Sequence, residues 1–280
     1  MKTHYNTLKR LGILLVLIMG SQMRAQTKET FTIPLSNPGE EGKLVVNIID
    51  GDITVQGYDG EDVVVEAFGD QKSKGWNKSS HKEQENMKNG MRKIVDNSLS
   101  FTVEEVENKV YIKYTPGKWV IDFVVKVPRN FSLDLKTVNQ GNILVEGVNG
   151  THEVSNTNGK ITMNNVGGSV IADALNRNIV VSFSSIHQGA NMMFSSLNGD
   201  VDVSFPKNLK ANVLARSDNG NVYTDFDMVK NGNGGNVQTT KKNGVYRIRR
   251  EKGVSGTING GGADIVFKTL NGDILIRENK

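Results

Sequence analysis

A short unit of sequence recurs along this chain and restricts the folds that it can adopt. Its clearest copy is Leu197–Val203 (LNGDVDV), a glycine turn followed by alternating apolar and polar residues. Alternation with a period of two is typical of a strand with one buried face. The unit therefore predicts a turn and then a strand, with Val201 and Val203 pointing inward and Asp200 and Asp202 pointing outward.

The turn glycine recurs at a nearly constant spacing. Its copies are Gly141, Gly159, Gly199, Gly220 and Gly272, and Arg177 takes the glycine position in one degenerate copy. Successive positions are 18, 18, 22 and 21 residues apart, and a gap of 52 residues precedes the last one. A fixed period of about 20 residues is a signature of solenoid architecture. Half-period echoes, such as the one at 147–150, predict at least two short strands in each repeat.

Each copy supplies an inward pair of side chains two residues apart. The pairs are Ile53/Val55, Ile143/Val145, Ile161/Met163, Ile179/Val181, Val201/Val203, Val222/Thr224 and Ile274/Ile276. Stacked about 4.8 Å apart, they would form a continuous aliphatic column. We expect glycine at the turns because it adopts positive φ without steric cost. The prediction is an all-β fold, a single-stranded β-helix (β-solenoid) with rungs of about 20 residues; an elongated β-sandwich is the alternative.

Residues 1–25 have the pattern of a secretory signal peptide. Basic residues (Lys2, Lys9 and Arg10) precede the apolar run 11–20, and small residues near Ala25 offer a cleavage site. Ten apolar residues are too few for a membrane-spanning helix, which needs about 20. We expect residues 26–280 to form one exported domain, in the periplasm, on the outer-membrane surface or secreted, without a transmembrane segment in the mature chain. An uncleaved N-terminal anchor is the alternative.

Charge and cysteine content exclude several classes of function. The leader holds four of the 34 basic residues and no acidic one, so the remaining chain has 30 basic and 30 acidic residues. Binding to a nucleic acid needs clustered excess cations, so we expect no nucleic-acid partner. The chain has no cysteine, which excludes thiol catalysis, disulfides and CxxC zinc sites.

Two segments interrupt the repeat. Residues 69–98 are charged and poor in apolar side chains, and residues 227–250 include the glycine-rich stretch 231–236. In the first segment, lysines and arginines alternate with acids, which gives no strong field. We predict excursions from the β-core at both places.

We predict no catalytic, cofactor-binding or metal-ligating residue. The outward positions after the turns are Asp52, Asn142, Lys160, Asn178, Asp200, Asn221 and Asp273. Asp200 and Asp202 form the best local acidic pair, but Lys160 and Thr162 do not complete the six to eight oxygens of a calcium shell. We interpret these residues as turn formers facing water rather than as a calcium or polysaccharide groove. His81, His152 and His187 show no metal-binding spacing, and we expect no cofactor.

The Asn-Gly-Asp-(Ile/Val)-x-(Ile/Val) repeat, the proline-led strands and the leader resemble the bacterial putative-adhesin family of β-strand-repeat proteins, which includes relatives of the auto-transporter adhesin head GIN domain. The similarity covers residues 40–68 and 99–280. It implies a right-handed β-helix, exposed at the surface or in the periplasm, and it carries no catalytic residues.

Three functions follow as hypotheses. The first is a non-enzymatic, adhesin-like binding protein or cell-envelope scaffold whose partner is an envelope protein or a glycan. The second is a carbohydrate-active β-helix enzyme of the lyase or hydrolase type. The third is a periplasmic regulatory or assembly partner.

Overall fold

The computed structural model describes residues 27–71, 87–88, 91–92, 99–114, 119–230, 237–242, 245–250 and 253–279. Within these residues the chain is all-β, with 24 strands and no helix. Twenty strands belong to one sheet of mixed parallel and antiparallel pairs, and the other four form two separate hairpins. The all-β class is thus confirmed. No helix in the described part of the chain is long and apolar enough to cross a membrane.

The strand boundaries follow the predicted turns. The first twelve strands are β1 (Thr27–Ile33), β2 (Gly42–Asn47), β3 (Ile53–Tyr58), β4 (Val63–Gln71), β5 (Met87–Lys88), β6 (Met91–Arg92), β7 (Phe101–Val106), β8 (Lys109–Tyr114), β9 (Trp119–Pro128), β10 (Phe131–Thr137), β11 (Ile143–Glu146) and β12 (Asn149–Asn156). The remaining twelve are β13 (Ile161–Ala174), β14 (Ile179–Ile186), β15 (Met192–Ser196), β16 (Val201–Phe205), β17 (Ala211–Ser217), β18 (Val222–Thr224), β19 (Met228–Lys230), β20 (Val237–Lys242), β21 (Val245–Arg250), β22 (Val254–Ile258), β23 (Ala263–Thr269) and β24 (Ile274–Glu278).

Parallel ladders arrange most of these strands in two stacks. Stack A contains, in spatial order, β9, β3, β11, the first part of β13, β14, β16, β24 and β18. Stack B contains β8, β2, β10, β12, the second part of β13, β15, β23 and β17. Along the chain, most repeats contribute one strand to each stack, which agrees with the prediction of two strands per repeat.

The spatial order departs from chain order at both ends. The C-terminal strands β23 and β24 lie between β15 and β17 and between β16 and β18, respectively. Near the other end, β2 lies between β8 and β10, and β3 lies between β9 and β11. The 52-residue gap before Gly272 reflects this arrangement, because the chain passes beyond β18 and returns to fill a position inside the stacks.

The core lies between the two stacks. The predicted inward pairs lie side by side on neighbouring strands of stack A, in register from Ile53 through Ile143, Ile161 and Ile179 to Val201. Six of the seven pairs are buried; the exception is Val222/Thr224 in β18, the last strand of stack A. Aromatic rings join the stacks: the ring of Phe183 in β14 packs edge to face on that of Phe194 in β15, and Phe205 in β16 packs in the same way on Phe267 in β23.

Antiparallel strands complete both ends of the sheet. At one end β4 pairs with β9 and β1 pairs with β4, while β7 pairs with β8. Glu107 and Asn108, the predicted hairpin turn between β7 and β8, both have positive φ (52° and 60°), as a two-residue turn of this kind requires. At the other end β22 pairs with β17 and β19.

The predicted excursions lie partly outside the described residues. Within the first, 69–71 continue β4 along β9, and β5 and β6 form a short hairpin. Within the second, β20 and β21 form a separate antiparallel hairpin.

Close backbone approach, rather than positive φ, accounts for most turn glycines. Gly141 has positive φ (136°), but Gly159, Gly199, Gly220 and Gly272 do not. A Cβ on Gly159 would lie 1.7 Å from the carbonyl oxygen of Gly141, the turn above it. The expectation that positive φ selects glycine is therefore wrong at four turns, where the neighbouring turn occupies the space of a side chain.

Candidate binding cleft

The outward polar residues after the turns, which run from Asp52 to Asp273, form hydrogen bonds between neighbouring turns. The side-chain oxygen of Asp52 accepts the backbone N–H of Asn142 at 2.6 Å, and Asn142 Oδ1 accepts the N–H of Lys160 at 3.0 Å. Further along, Asp200 Oδ1 accepts the N–H of Asp273 at 2.9 Å, and Asp273 Oδ1 accepts that of Asn221 at 2.8 Å. These oxygens accept hydrogen bonds from the backbone N–H groups of neighbouring turns.

A second ladder consists of asparagine amides. Neighbours donate Nδ2 to Oδ1 along the series Asn158, Asn176, Asn198, Asn271 and Asn219, at 2.7–3.0 Å. The series runs in spatial order, with Asn271 between Asn198 and Asn219. Like the outward column, it holds neighbouring turns together.

Asp202 is also engaged, in a two-point ion pair. Arg277 Nε donates to Asp202 Oδ1 at 2.7 Å, and its second nitrogen donates to Oδ2 at 3.1 Å. The acidic pair Asp200/Asp202 is thus divided between the ladder and an arginine. No group of three or more His, Cys, Asp or Glu side chains in the described residues is arranged to hold a metal ion.

A cleft of 760 Å³ opens on stack B, where β15, β23 and β17 begin side by side. Its walls are residues 184–192, from the end of β14 to the first residue of β15, residues 206–210 (without Lys207) before β17, and residues 261–265 at the start of β23. Because β23 lies between β15 and β17, the cleft combines residues from three distant parts of the chain.

The floor of the cleft is apolar. Met192 and Ile265 are buried ladder partners, Leu209 is buried, and Ile186 is half-buried. Polar side chains line the cleft at least as extensively as this floor does, so the cleft is more polar than the usual small-molecule site.

Hydrogen bonds between the three connections fix the shape of the cleft. Asn191 Oδ1 accepts the N–H of Asp264 at 3.0 Å, while Asn212 Nδ2 donates to Asp264 Oδ1 at 3.0 Å. Asn259 Nδ2 donates to the carbonyl oxygen of Leu209 at 2.8 Å. Asn259, Gly260 and Gly261 have φ of 48°, 83° and 85°, a left-handed run for which asparagine and glycine are suited.

Polar side chains surround the opening. His187, Gln188, Asn208 and Lys210 are exposed lining residues, and Asp264 adds a carboxylate. The rim thus offers amide, imidazole, ammonium and carboxylate groups, with one lysine balanced by one aspartate. This arrangement can hydrogen-bond a polar ligand of low net charge while its apolar faces rest on the floor.

His152 is a buried polar residue in β12, between Leu133 and Val170 of the neighbouring strands. It has no exposed surface, and neither ring nitrogen has a partner within hydrogen-bond geometry. Burial is the main reason that its pKa is lowered from 6.5 to about 4; the backbone groups of Val148 and Gly167 act in the raising direction, and the charge of His187 adds the smallest lowering contribution. His152 is neutral in the folded protein at neutral pH.

Sequence analysis missed the cleft and assigned no site residue to it. Of the histidines considered there, His187 lines the cleft, whereas Asp200 and Asp202 do not. One sequence signal existed: irregular connections at 187–190 and 259–262 stand where the repeat would have a tight turn. The repeat pattern alone does not reveal that these connections meet.

No family model and no curated protein matches this chain. Among solved structures, it is similar to a "putative cell adhesion protein" from Clostridium sporogenes ATCC 15579, with 11% identity, a TM-score of 0.43, and coverage of 91% of this chain and 100% of that one. It is also similar to a "putative adhesin" from Bacteroides fragilis NCTC 9343 (11% identity, TM-score 0.29, coverage 90% and 97%). A third is a "putative lipid binding protein" from Parabacteroides distasonis ATCC 8503 (8%, 0.30, 90% and 97%). At these scores, function has to be argued from this chain's own residues.

Proposed function

We propose that this protein is an exported, non-enzymatic binding protein of the adhesin-like kind, built as a single-stranded β-helix, and that its cleft holds a short glycan segment. The cleft between β15, β23 and β17 is the observation that carries the proposal. Its polar rim and apolar floor match the two kinds of surface on a sugar, hydroxyl groups and C–H faces. No Phe, Tyr or Trp is among the described residues that line it, so affinity for a single segment should be modest.

Rigidity of the lining supports binding. The amides of Asn191, Asn212 and Asn259 are fixed by hydrogen bonds to neighbouring connections, so ordering the site costs little entropy when a ligand binds. In contrast, His187, Gln188 and Asn208 stay exposed for contact with the ligand.

A binding assay with a blocked cleft tests this function. Purified protein is screened against envelope and host glycans, and binders are measured by calorimetry. Ala190→Trp, which fills the cleft, should weaken binding at least about tenfold. Thr151→Trp, on the exposed face of β12, is the matched control and should bind as the wild type does. Equal binding by both variants would contradict the assignment of the cleft.

A carbohydrate-active enzyme is the second candidate, since His187 and Asp264 both line the cleft and are the residue types of an acid and a base. The same glycans are incubated with the protein and assayed for new reducing ends or unsaturated products. Release that is lost in both His187→Ala and Asp264→Asn would replace the binding proposal with this one.

The proposed export rests on residues 1–25 acting as a signal peptide, with 26–280 as one domain carrying excursions at 69–98 and 227–250. N-terminal sequencing of the protein from the envelope fraction should find a start near Gln26. Protease shaving of intact cells then separates surface display, in which the protein is lost, from a periplasmic location, in which it is protected.

A further inference from the structure

Several turns of the described chain contain asparagine followed directly by glycine. The asparagines are Asn149, Asn158, Asn198, Asn219, Asn259 and Asn271. In this dipeptide the backbone nitrogen of glycine can attack the asparagine side chain, because glycine has no Cβ to hinder the approach. The fold decides which pair reacts, since the attack needs an asparagine side chain that can turn and a glycine nitrogen that water can reach.

Four of these pairs belong to the asparagine ladder, and their amides are held with unequal firmness. Asn198 and Asn271 each donate to one neighbouring amide and accept from another. Asn158 also accepts from a ladder amide, and its own amide donates to the carbonyl oxygen of Val138 at 3.0 Å. Asn219 is the terminal member and, within the ladder, only donates to Asn271, at 2.8 Å. Its side chain therefore has one ladder hydrogen bond to break in order to turn.

The glycines of the four pairs also differ in their exposure to water. Gly159 and Gly199 are buried, and Gly272 is half-buried. The backbone N–H of Gly159 is in addition held by Asn156 Oδ1 at 2.7 Å. Gly220 is exposed, because its turn joins β17 to β18, the last strands of the two stacks. The terminal turn thus combines the most loosely held ladder amide with the most exposed glycine.

The two pairs outside the ladder are restrained in other ways. Asn149 is the first residue of β12, and Gly150 after it is buried. Asn259 donates its amide to the carbonyl oxygens of Lys207 and Leu209, at 3.3 and 2.8 Å. Neither pair combines a loosely held amide with an exposed glycine.

We propose that Asn219 is a site of spontaneous deamidation, a modification that adds a negative charge at the end of the ladder. The nitrogen of Gly220 forms a bond to Asn219 Cγ, and the Cγ–Nδ2 bond breaks. Nδ2 leaves as ammonia, which carries away the proton of the glycine N–H. Water then opens the succinimide ring, so that position 219 becomes aspartate or isoaspartate.

The modification loosens the last strand of stack A. An ionised carboxylate cannot donate to Asn271 Oδ1, so the ladder hydrogen bond is replaced by a contact between two acceptors. Isoaspartate also lengthens the backbone of the turn before β18. That strand has three residues, and its partner among the described strands is β24 alone. We expect β18 to separate from β24 more readily after the reaction.

Peptide mapping by mass spectrometry tests the site, on folded protein incubated in mildly alkaline buffer. Asn219 should convert at least about fivefold faster than Asn198 and Asn271, the factor that corresponds to one net hydrogen bond of about 1 kcal/mol. In protein unfolded in urea, the three should convert at similar rates, because each precedes glycine. Folded protein in which Asn198 or Asn271 converts as fast as Asn219 would overturn the proposal, as would an Asn219 that reacts only after unfolding.

Hydrogen exchange at residues 222–224 tests the consequence for β18. Exchange there should be faster in aged wild type than in fresh protein, and equally fast in fresh and aged Asn219→Gln, whose longer side chain forms the ring far less readily. Unchanged exchange in aged wild type, or the same acceleration in aged Asn219→Gln, would contradict the link between position 219 and β18. Glycan binding at the cleft is a separate measurement and does not decide either result.

Discussion

At the scale of single residues, two kinds of position depart from a plain strand-and-turn pattern. Turn glycines are selected by the carbonyl oxygen of the neighbouring turn, and His152 is buried among aliphatic residues without a hydrogen-bond partner. The first kind is favourable, because it allows turns to approach closely. The second costs stability, because an unpaired buried polar group loses its hydration.

Replacement of Gly159 should be costly for steric reasons alone. Its φ is not in the left-handed region, but an added Cβ would lie 1.7 Å from the carbonyl oxygen of Gly141. Gly159→Ala should lower the free energy of unfolding by about 3 kcal/mol or more, because backbone must move. Gly253→Ala is the control, since its nearest neighbour would be 3.2 Å away. Chemical denaturation measures both, and equal losses would contradict this explanation.

His152→Leu should stabilise the protein at neutral pH by about 1–3 kcal/mol, the cost of an unsatisfied buried polar group. Leucine suits a position between Leu133 and Val170. Its effect is read as the change in free energy of unfolding in urea at pH 7.5, with His187→Leu at the exposed rim as the control. A destabilised His152→Leu protein would indicate that the imidazole has a partner.

Low pH should reduce the free energy of unfolding of the wild type through His152. The pKa of His152 is about 4 in the folded protein, against 6.5 when exposed, so the unfolded chain binds the proton first as pH falls. The free energy of unfolding is therefore unaffected by this titration above about pH 6.5. It falls progressively as the pH drops from 6.5 to 4, by about 3 kcal/mol in total. His152→Leu should flatten this part of the stability-against-pH curve. An unchanged slope between pH 6.5 and pH 4 would contradict it.

At the scale of elements, turns are joined by side chains as well as by backbone. The asparagine ladder joins five successive turns, and a third set of groups donates to the turn carbonyls. Thr269 Oγ1 donates to the Gly199 oxygen at 2.9 Å, and Ser217 Oγ donates to the Gly272 oxygen at 2.7 Å. At the degenerate repeat, Ala174 takes the donor position and has no side-chain donor, whereas the carbonyl oxygen of Arg177, at the glycine position, still accepts from Ser196 Oγ at 3.2 Å.

An interior asparagine of the ladder should matter more than a terminal one. Asn198 both donates to Asn176 and accepts from Asn271, whereas Asn219 only donates to Asn271 within the ladder. Asn198→Ala should therefore cost about 1 kcal/mol more than Asn219→Ala in the free energy of unfolding, the value of one net hydrogen bond. Urea denaturation of both variants checks this, and equal costs would show that the amides contribute independently of the ladder.

At the scale of the whole molecule, the spatial order of the strands is harder to predict from the sequence than the individual strands and turns are. The repeat identifies the inward pairs, the turns and the all-β class, because each rests on local alternation and turn chemistry. Neighbour order does not follow from it, because Ile274/Ile276 would fit beside any strand with the same aliphatic pattern. The cleft was missed for that reason: it exists only because β23 inserts between β15 and β17, which brings Asp264 beside Asn191 and Asn212.

The insertion of the C-terminal strands is the central claim, because the cleft depends on it. The chain has no cysteine, so engineered pairs can test neighbour order directly. Leu275 is in register with both Asp202 and Tyr223, which are two strand spacings apart. A disulfide requires Cα atoms within about 7 Å, whereas two spacings amount to about 9.6 Å.

Oxidative cross-linking of three double-cysteine variants therefore decides the claim. Asp202→Cys/Leu275→Cys and Leu275→Cys/Tyr223→Cys should form disulfides in the folded protein, and Asp202→Cys/Tyr223→Cys should not. If the stack followed chain order instead, Asp202→Cys/Tyr223→Cys would cross-link readily and Asp202→Cys/Leu275→Cys would stay reduced.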